Sequence, residues 1–170
     1  GLKATVTGAY VNEDQRKTER VLSIPDDPAS ASRTTYLDER FVNWKRYNFD
    51  ALLNYSKSFG NHGLKAMVGY HAEKYEVSKN QMRRNNLPSN SLGDMDAGAA
   101  STQTNNGVSR ELAMLSYFGR INYDYAGKYL LEANFRADAS SRFAPGHRWG
   151  YFPSFSGAWR ISEEAFMENS

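Results

Sequence analysis

Apolar and polar residues alternate along much of the chain, a period of two that specifies strands with one greasy and one wet face. In YFGRINYDYAGKYLLEANFR, residues 117–136, one alternating set holds Tyr117, Gly119, Ile121, Tyr123 and Tyr125, then Tyr129, Leu131, Ala133 and Phe135. Phe118 and Leu130 apart, the other set is polar: Arg120, Asn122, Asp124, Lys128, Glu132, Asn134 and Arg136. Applied to the whole chain, the pattern predicts an all-β fold of antiparallel up-and-down strands. The six strands fall at about 1–11, 38–59, 64–79, 109–125, 129–140 and 150–161.

The other strands repeat the theme. Leu2, Ala4, Val6, Gly8 and Tyr10 share one face of the first; Tyr47, Phe49, Ala51, Leu53, Tyr55 and Phe59 share one face of the second, against Arg46, Asn48, Asp50 and Asn54. Leu64, Ala66, Val68, Tyr70 and Ala72 oppose Lys65, His71 and Glu73 in the third. The last sets Trp149, Tyr151, Phe155, Trp159 and Ile161 against Ser154, Ser156 and Arg160.

Connections alternate between short and long. GNHG (60–63) and AGK (126–128) are tight, whereas 12–37, 80–108 and 141–149 are long and rich in Asn, Ser, Asp, Gly and Pro. Long structureless loops count against a compact soluble domain but suit a membrane barrel, with its short turns on one side and long loops on the other. The odd loop Ala126-Gly127-Lys128 keeps Tyr125 and Tyr129 on one face. That register puts Tyr123 opposite Leu131 and Ile121 opposite Ala133.

Alternation alone does not say which face points outward, and a soluble β-sandwich binding module, such as a carbohydrate binder or adhesin, is the alternative. Three features favour lipid against the apolar face. Tyr55, Phe59, Tyr123, Tyr125 and Tyr129 gather beside the short turns, as an interfacial aromatic belt would. Small and medium residues such as Ala51, Ala66, Ala133 and Gly119 fill the middle of that face. The alternating runs also exceed the roughly 9–11 residues that cross a bilayer. On this reading Arg46, Asp50, His71, Glu73, Arg120, Asn122, Glu132, Asn134 and Arg136 line a wet lumen. Six strands are fewer than the about eight needed to close a barrel, so the chain is expected to be part of a longer one.

Composition sharpens the choice. Aromatics make up 14% of the chain while mean hydropathy is −0.70, which fits amphipathic strands better than a packed interior. No apolar run is long enough for a membrane helix, and the N-terminus lacks a signal-peptide pattern. Basic and acidic residues, 21 against 19, are interspersed and give no nucleic-acid footprint. Zero cysteines exclude disulfides and thiolate metal sites.

Candidate chemistry is sparse. His71 and Glu73 share a face, but two ligands without a third read as a solvated pair. Asp94 and Asp96 in LGDMDAG lack the spacing of a calcium loop. Asp138, Ser141 and His147 lack an accompanying oxyanion-hole motif. Asn54-Tyr55-Ser56 is a glycosylation sequon inside a strand. No catalytic, cofactor or metal site is expected. Phe143, His147 and Trp149 in the 141–149 loop read as structural packing, and the 80–108 loop is the better place for partner contact.

At YFGRINYDYAGKYLLEANFRADASSRF and RWGYFPSFSGAWRISEEAFM the sequence resembles the SusC/RagA family of TonB-linked outer-membrane proteins of Bacteroidota. The resemblance covers roughly residues 38–168 and is most specific from Ser116 to Met167. It implies a C-terminal portion of a 22-stranded barrel in a Gram-negative outer membrane. It also implies an N-terminal plug, a SusD-like lipoprotein lid, and TonB-energised import of glycans or peptides. No plug and no TonB-contacting segment is recognised in these residues, so gating and cargo choice are expected to need the rest of the parent.

Overall fold

The computed structural model describes residues 1–24 and 33–167. Six strands lie in one sheet in chain order: β1 (Leu2–Val21), β2 (Tyr36–Phe59), β3 (His62–Asn85), β4 (Thr104–Tyr125), β5 (Tyr129–Ser140) and β6 (Trp149–Trp159). Each strand pairs with its neighbour in sequence, the up-and-down arrangement that alternation predicts. A sandwich needs a second sheet about 10 Å away to cover the apolar face. All six strands belong to a single sheet instead, which removes the sandwich alternative.

The β4–β5 hairpin has the expected register, with Tyr125 opposite Tyr129, Tyr123 opposite Leu131 and Ile121 opposite Ala133. Its turn places Ala126 at φ 55° and Gly127 at φ 68°, and Lys128 N donates to Tyr125 O at 3.0 Å. β5 continues the ladder onto β6, with Ala133 opposite Phe155 and Tyr129 opposite Trp159.

Several strand limits depart from the sequence reading. β1 runs on past 11 to Val21, β3 reaches 85, and β4 begins at 104, so much of the expected 12–37 and 80–108 loops is strand. β2 begins at 36, and the GNHG connection shrinks to Gly60-Asn61, with Gly60 at φ 59°. β6 runs 149–159 rather than 150–161, after which the chain makes 3-10 turns at Ile161–Glu163 and Ala165–Met167. These extensions are mostly polar on both alternating sets, as in NEDQRKTERV (12–21), so they carry no period-two signal.

Contacts group the chain into two units, each drawing on several strands. The first comprises residues 1–10, 46–75 and 112 onward. It holds β5, β6 and one portion of β1 to β4. Its apolar set is uncovered: Val68 is 57% exposed, Leu131 59% and Phe155 80%. On the opposite set Phe118 covers Gly69, where an added Cβ would lie 2.3 Å from the ring. The glycine gives the ring its seat, a cross-strand packing device of natural sheets.

The second unit comprises residues 11–45 and 76–111. Its apolar nucleus is Leu37, 1% exposed, with Leu87 also buried. The β3–β4 connection is tied down here. Arg20 donates to Leu92 O and, at 2.6 Å, to Asn90 O; Asn90 Nδ2 donates to Ser23 O at 2.6 Å. Asn86 N donates to Thr35 O at 2.8 Å, and Ala99 N to Asn85 O at 2.9 Å.

Candidate functional site

The functional surface is a sheet with two chemically different faces, and it is set by which side chains alternation sends to each. On the apolar face of the first unit aromatic rings form a row beside the short turns. Phe59 stacks on His62 at 5.6 Å, His62 meets Tyr125 at 5.0 Å, Tyr125 stacks on Tyr129 at 6.3 Å, and Tyr129 on Trp159 at 6.4 Å. Each strand from β2 to β6 contributes one ring to it. Tyr123 joins through its hydroxyl, 2.6 Å from His62 Nδ1. Tyr55 shares the face and is exposed.

A second row crosses the same face further along the strands. Phe49 meets Tyr70 at 6.0 Å, Tyr70 meets Tyr117 at 5.3 Å, and Tyr117 stacks on Trp149 at 5.9 Å. Tyr10 and Tyr47 pair at 5.0 Å. Between the rows stand Leu53, Val68, Ile121, Leu131 and Phe155, all exposed. Stacked and tilted pairs at these separations are favourable beyond the area they cover.

The polar face is a run of hydrogen bonds within and between strands. Arg120 Nε donates to Asn134 Oδ1 at 2.8 Å, Asn134 Nδ2 to Glu132 Oε1 at 2.7 Å, and Asn122 Nδ2 to Glu132 Oε2 at 2.5 Å. Arg136 Nε donates to both oxygens of Asp138 at 2.8 Å, Arg136 Nη2 donates to Ser116 Oγ at 3.2 Å, and its guanidinium lies 5.5 Å from the Phe118 ring centroid. Asp50 Oδ1 is 2.7 Å from His71 Nδ1, and Arg46 lies 5.9 Å from the Tyr75 ring centroid. With its amide turned to donate, Asn48 reaches Glu73 Oε2 at 3.1 Å. A basin of about 750 Å³ opens near the short turns, lined on this face by Lys65, Asn122, Asp124, Glu132, Ser156 and Arg160.

The weaker sequence candidates do not converge. His71 is paired with Asp50, Asp96 bridges Arg84 Nη1 at 3.1 Å, and Ser141 Oγ accepts from Ala113 N at 2.9 Å. Among the described residues no group of three or more His, Asp or Glu side chains could hold a metal ion.

Three features escaped sequence reasoning. His62 looked like a turn residue, although its parity with Leu64 already placed it on the apolar face. The second aromatic row is visible only once ring distances are known. Glu164 lay beyond the last expected strand. Its Oε1 accepts from Tyr129 OH at 2.8 Å and Trp159 Nε1 at 3.0 Å, and its Oε2 faces Lys128 Nζ at 3.2 Å. Those donors, Tyr129 first, then Trp159 and Lys128, hold the Glu164 carboxyl below the usual glutamate range.

No protein-family model matches the chain. Curated relatives do. TonB-dependent receptor P3 of Formosa agariphila is 32% identical over 120 residues, covering 69% of this chain and 12% of that protein. TonB-dependent receptor SusC of Bacteroides thetaiotaomicron is 30% identical over 131 residues, covering 73% and 12%. Among solved structures, the RagAB peptide transporter superposes with a TM-score of 0.89 at 22% identity, over 100% of this chain and 19% of that one. The RagAB peptide importer in its open-open state gives 0.88 at 23% identity, over 99% and 19%. The chain thus spans about an eighth of the length of the curated relatives it matches. Sequence and fold together identify it as a barrel segment belonging to the SusC/RagA family of TonB-dependent receptors, non-enzymatic outer-membrane proteins of Gram-negative bacteria.

Proposed function

We propose that these six strands form a sector of the wall of a TonB-energised importer, with the aromatic-bounded face against lipid and the polar face lining a water-filled lumen. The pair of aromatic rows carries this reading. From Tyr117 to Tyr125 and from Trp149 to Trp159 the rows are eight and ten positions apart along the strands. At a rise of about 3.3 Å per residue and a strand tilt of about 40°, that is roughly 20–25 Å. The apolar band of outer-membrane barrels is about 25 Å tall between its aromatic girdles. Tyr55, Phe59, Tyr123, Tyr125 and Tyr129 belong to the girdle at the short-turn side, joined by His62 and Trp159. Tyr47, Tyr70, Tyr117 and Trp149 belong to the other.

The lumen wall then includes Arg46, Asp50, His71, Glu73, Arg120, Asn122, Glu132, Asn134 and Arg136. Hydrogen bonds among Arg120, Asn122, Glu132 and Asn134, between Asp50 and His71, and from Arg136 to Asp138 hold polar side chains against the wall and keep the bore open. Plug, TonB contact and SusD-like lid belong to other parts of the assembly, and the cargo is an oligosaccharide or a peptide. Spin labels on cysteines placed at Ala133 and, separately, at Asn134 of the membrane-embedded parent test the reading. Lipid contact at 133 with water contact at 134 is expected. Water at 133, or burial of 133 against protein, would exclude a lipid-facing sheet.

A further inference from the structure

We infer that the polar face of the second unit recognises oxyanion groups, carboxylate or sulfate, on the cargo. Arg40 and Arg83 are the recognising side chains, and the inference rests on that face lining the lumen. Asp38 on β2 is 2% exposed, a carboxyl group withdrawn from water in a sheet whose other ionisable groups mostly meet it. A carboxylate withdrawn from solvent needs a donor at each oxygen. Asp38 has them: Arg40 Nε donates to Oδ1 at 3.0 Å and Gln81 Nε2 to Oδ2 at 2.6 Å. The Arg40 side chain itself is 46% exposed.

On the adjacent strand Arg83 is built in the same way. Its Nε donates to Asn85 Oδ1 at 2.9 Å, and its guanidinium lies 3.7 Å from the Tyr36 ring centroid; the Tyr36 hydroxyl is in turn 2.5 Å from Glu19 Oε1. Both arginines are therefore held through Nε by a residue two positions away on the same face. Anchoring Nε sets the plane of the guanidinium and aims its terminal N–H pair outward, the geometry that meets a carboxylate or sulfate with two parallel hydrogen bonds. Lys17, Lys79 and Arg110 fall on the same alternating set. With Arg40 and Arg83 they outnumber Glu13, Glu19 and Asp38, which tilts the field of this face toward anions. Arg136 in the first unit shares the Nε anchor to a residue two positions away, Asp138, but spends its Nη2 on Ser116 Oγ at 3.2 Å.

The test uses the full-length parent in detergent and four probes of equal length: a neutral, a uronate and a sulfated hexasaccharide, and an acidic hexapeptide. Calorimetry is expected to detect binding of at least one anionic probe. Arg40→Gln and Arg83→Gln should each weaken it about tenfold or more. Arg40→Lys should recover part of the loss, because it restores charge without the fork. Which anionic probe binds separates carboxylate from sulfate and sugar from peptide. Equal binding of the neutral probe, no binding of any anionic probe, or unchanged affinity in both glutamine variants would overturn the inference. Arg40→Cys, treated with a membrane-impermeant maleimide, separates the two levels. Labelling at position 40 leaves the lumen reading standing when anion binding fails, and failure to label removes both.

Discussion

Replacing Gly69 by alanine probes how the wet face is packed. A Cβ at position 69 would sit 2.3 Å from Cε2 and Cζ of Phe118 and 2.9 Å from Leu52 Cδ2. Carbon atoms in good contact stand about 3.5–4.0 Å apart, so the ring has to move by more than an ångström. That movement has consequences, because the Arg136 guanidinium lies 5.5 Å from the ring centroid and is itself fixed by Asp138. Overpacking of this kind costs about 1–3 kcal/mol, and the half-buried ring places this case near 1–2. With Phe118→Ala already in place only the end of the flexible Leu52 side chain has to shift, into the space the ring leaves, and Gly→Ala in a strand interior becomes favourable by up to about 0.5–1 kcal/mol. The two substitutions should therefore couple by roughly 2 kcal/mol in a double-mutant cycle. The assay is urea unfolding of the full-length parent in lipid vesicles. Gly119→Ala is the control, since its Cβ would meet only Met67 O at 3.4 Å and Val68 at 3.8 Å. Additivity within about 0.5 kcal/mol would refute the packing account.

Three further outcomes are expected. In the β4–β5 turn, Ala126→Gly should stabilise the parent by up to about 1 kcal/mol and Gly127→Ala should destabilise it by a similar amount, because both positions hold positive φ; the same unfolding assay reads both, and a stabilising Gly127→Ala would exclude this turn. Ile121→Arg, midway between the aromatic rows, should cost about 2–4 kcal/mol of membrane folding while Asn122→Arg on the wet face costs little; equal costs would contradict the assignment of the faces. Glu164 supplies a pH dependence of known sign. Its folded pKa is depressed, so the clamp on Lys128, Tyr129 and Trp159 is fully formed above the unfolded glutamate value of about 4.3 and lost only as pH falls through the lower folded value. The 19F signal of a fluorotryptophan placed at position 159 alone in the full-length parent should stay constant from neutral pH down to about 5 and shift in stronger acid. A shift already complete at about pH 5, or one that persists in Glu164→Gln, would show that another group is responsible.

The sequence made some of this legible and hid the rest for one physical reason. Alternation reports a difference between the surroundings of two faces. Where Ile121 and Leu131 stand opposite in parity to Asn122 and Glu132, the difference is large. Strand type, hairpin register and the two residue sets could all be read there. Direction could not, since a sandwich core and a lipid tail both ask for apolar side chains, and only the single uncovered sheet with its two aromatic rows separates them. Partner distances such as Asp38 to Gln81 or Glu164 to Trp159 lie beyond any pattern, because they join residues far apart in sequence or past the last strand.

The missing strand ends follow from the same reasoning. In 12–21, 80–85 and 104–108 both alternating sets are mostly polar, so the period-two signal vanishes although the backbone ladder continues. A strand stays a strand when both faces are wet; only its signature in sequence is lost. The position where alternation fades, just past Tyr10, Tyr47, Tyr70 and Trp149, is also where the second aromatic row stands. On the proposed lipid-facing reading, loss of pattern and aromatic row are two signs of one boundary, the edge of the hydrocarbon, beyond which neither face is asked to be apolar.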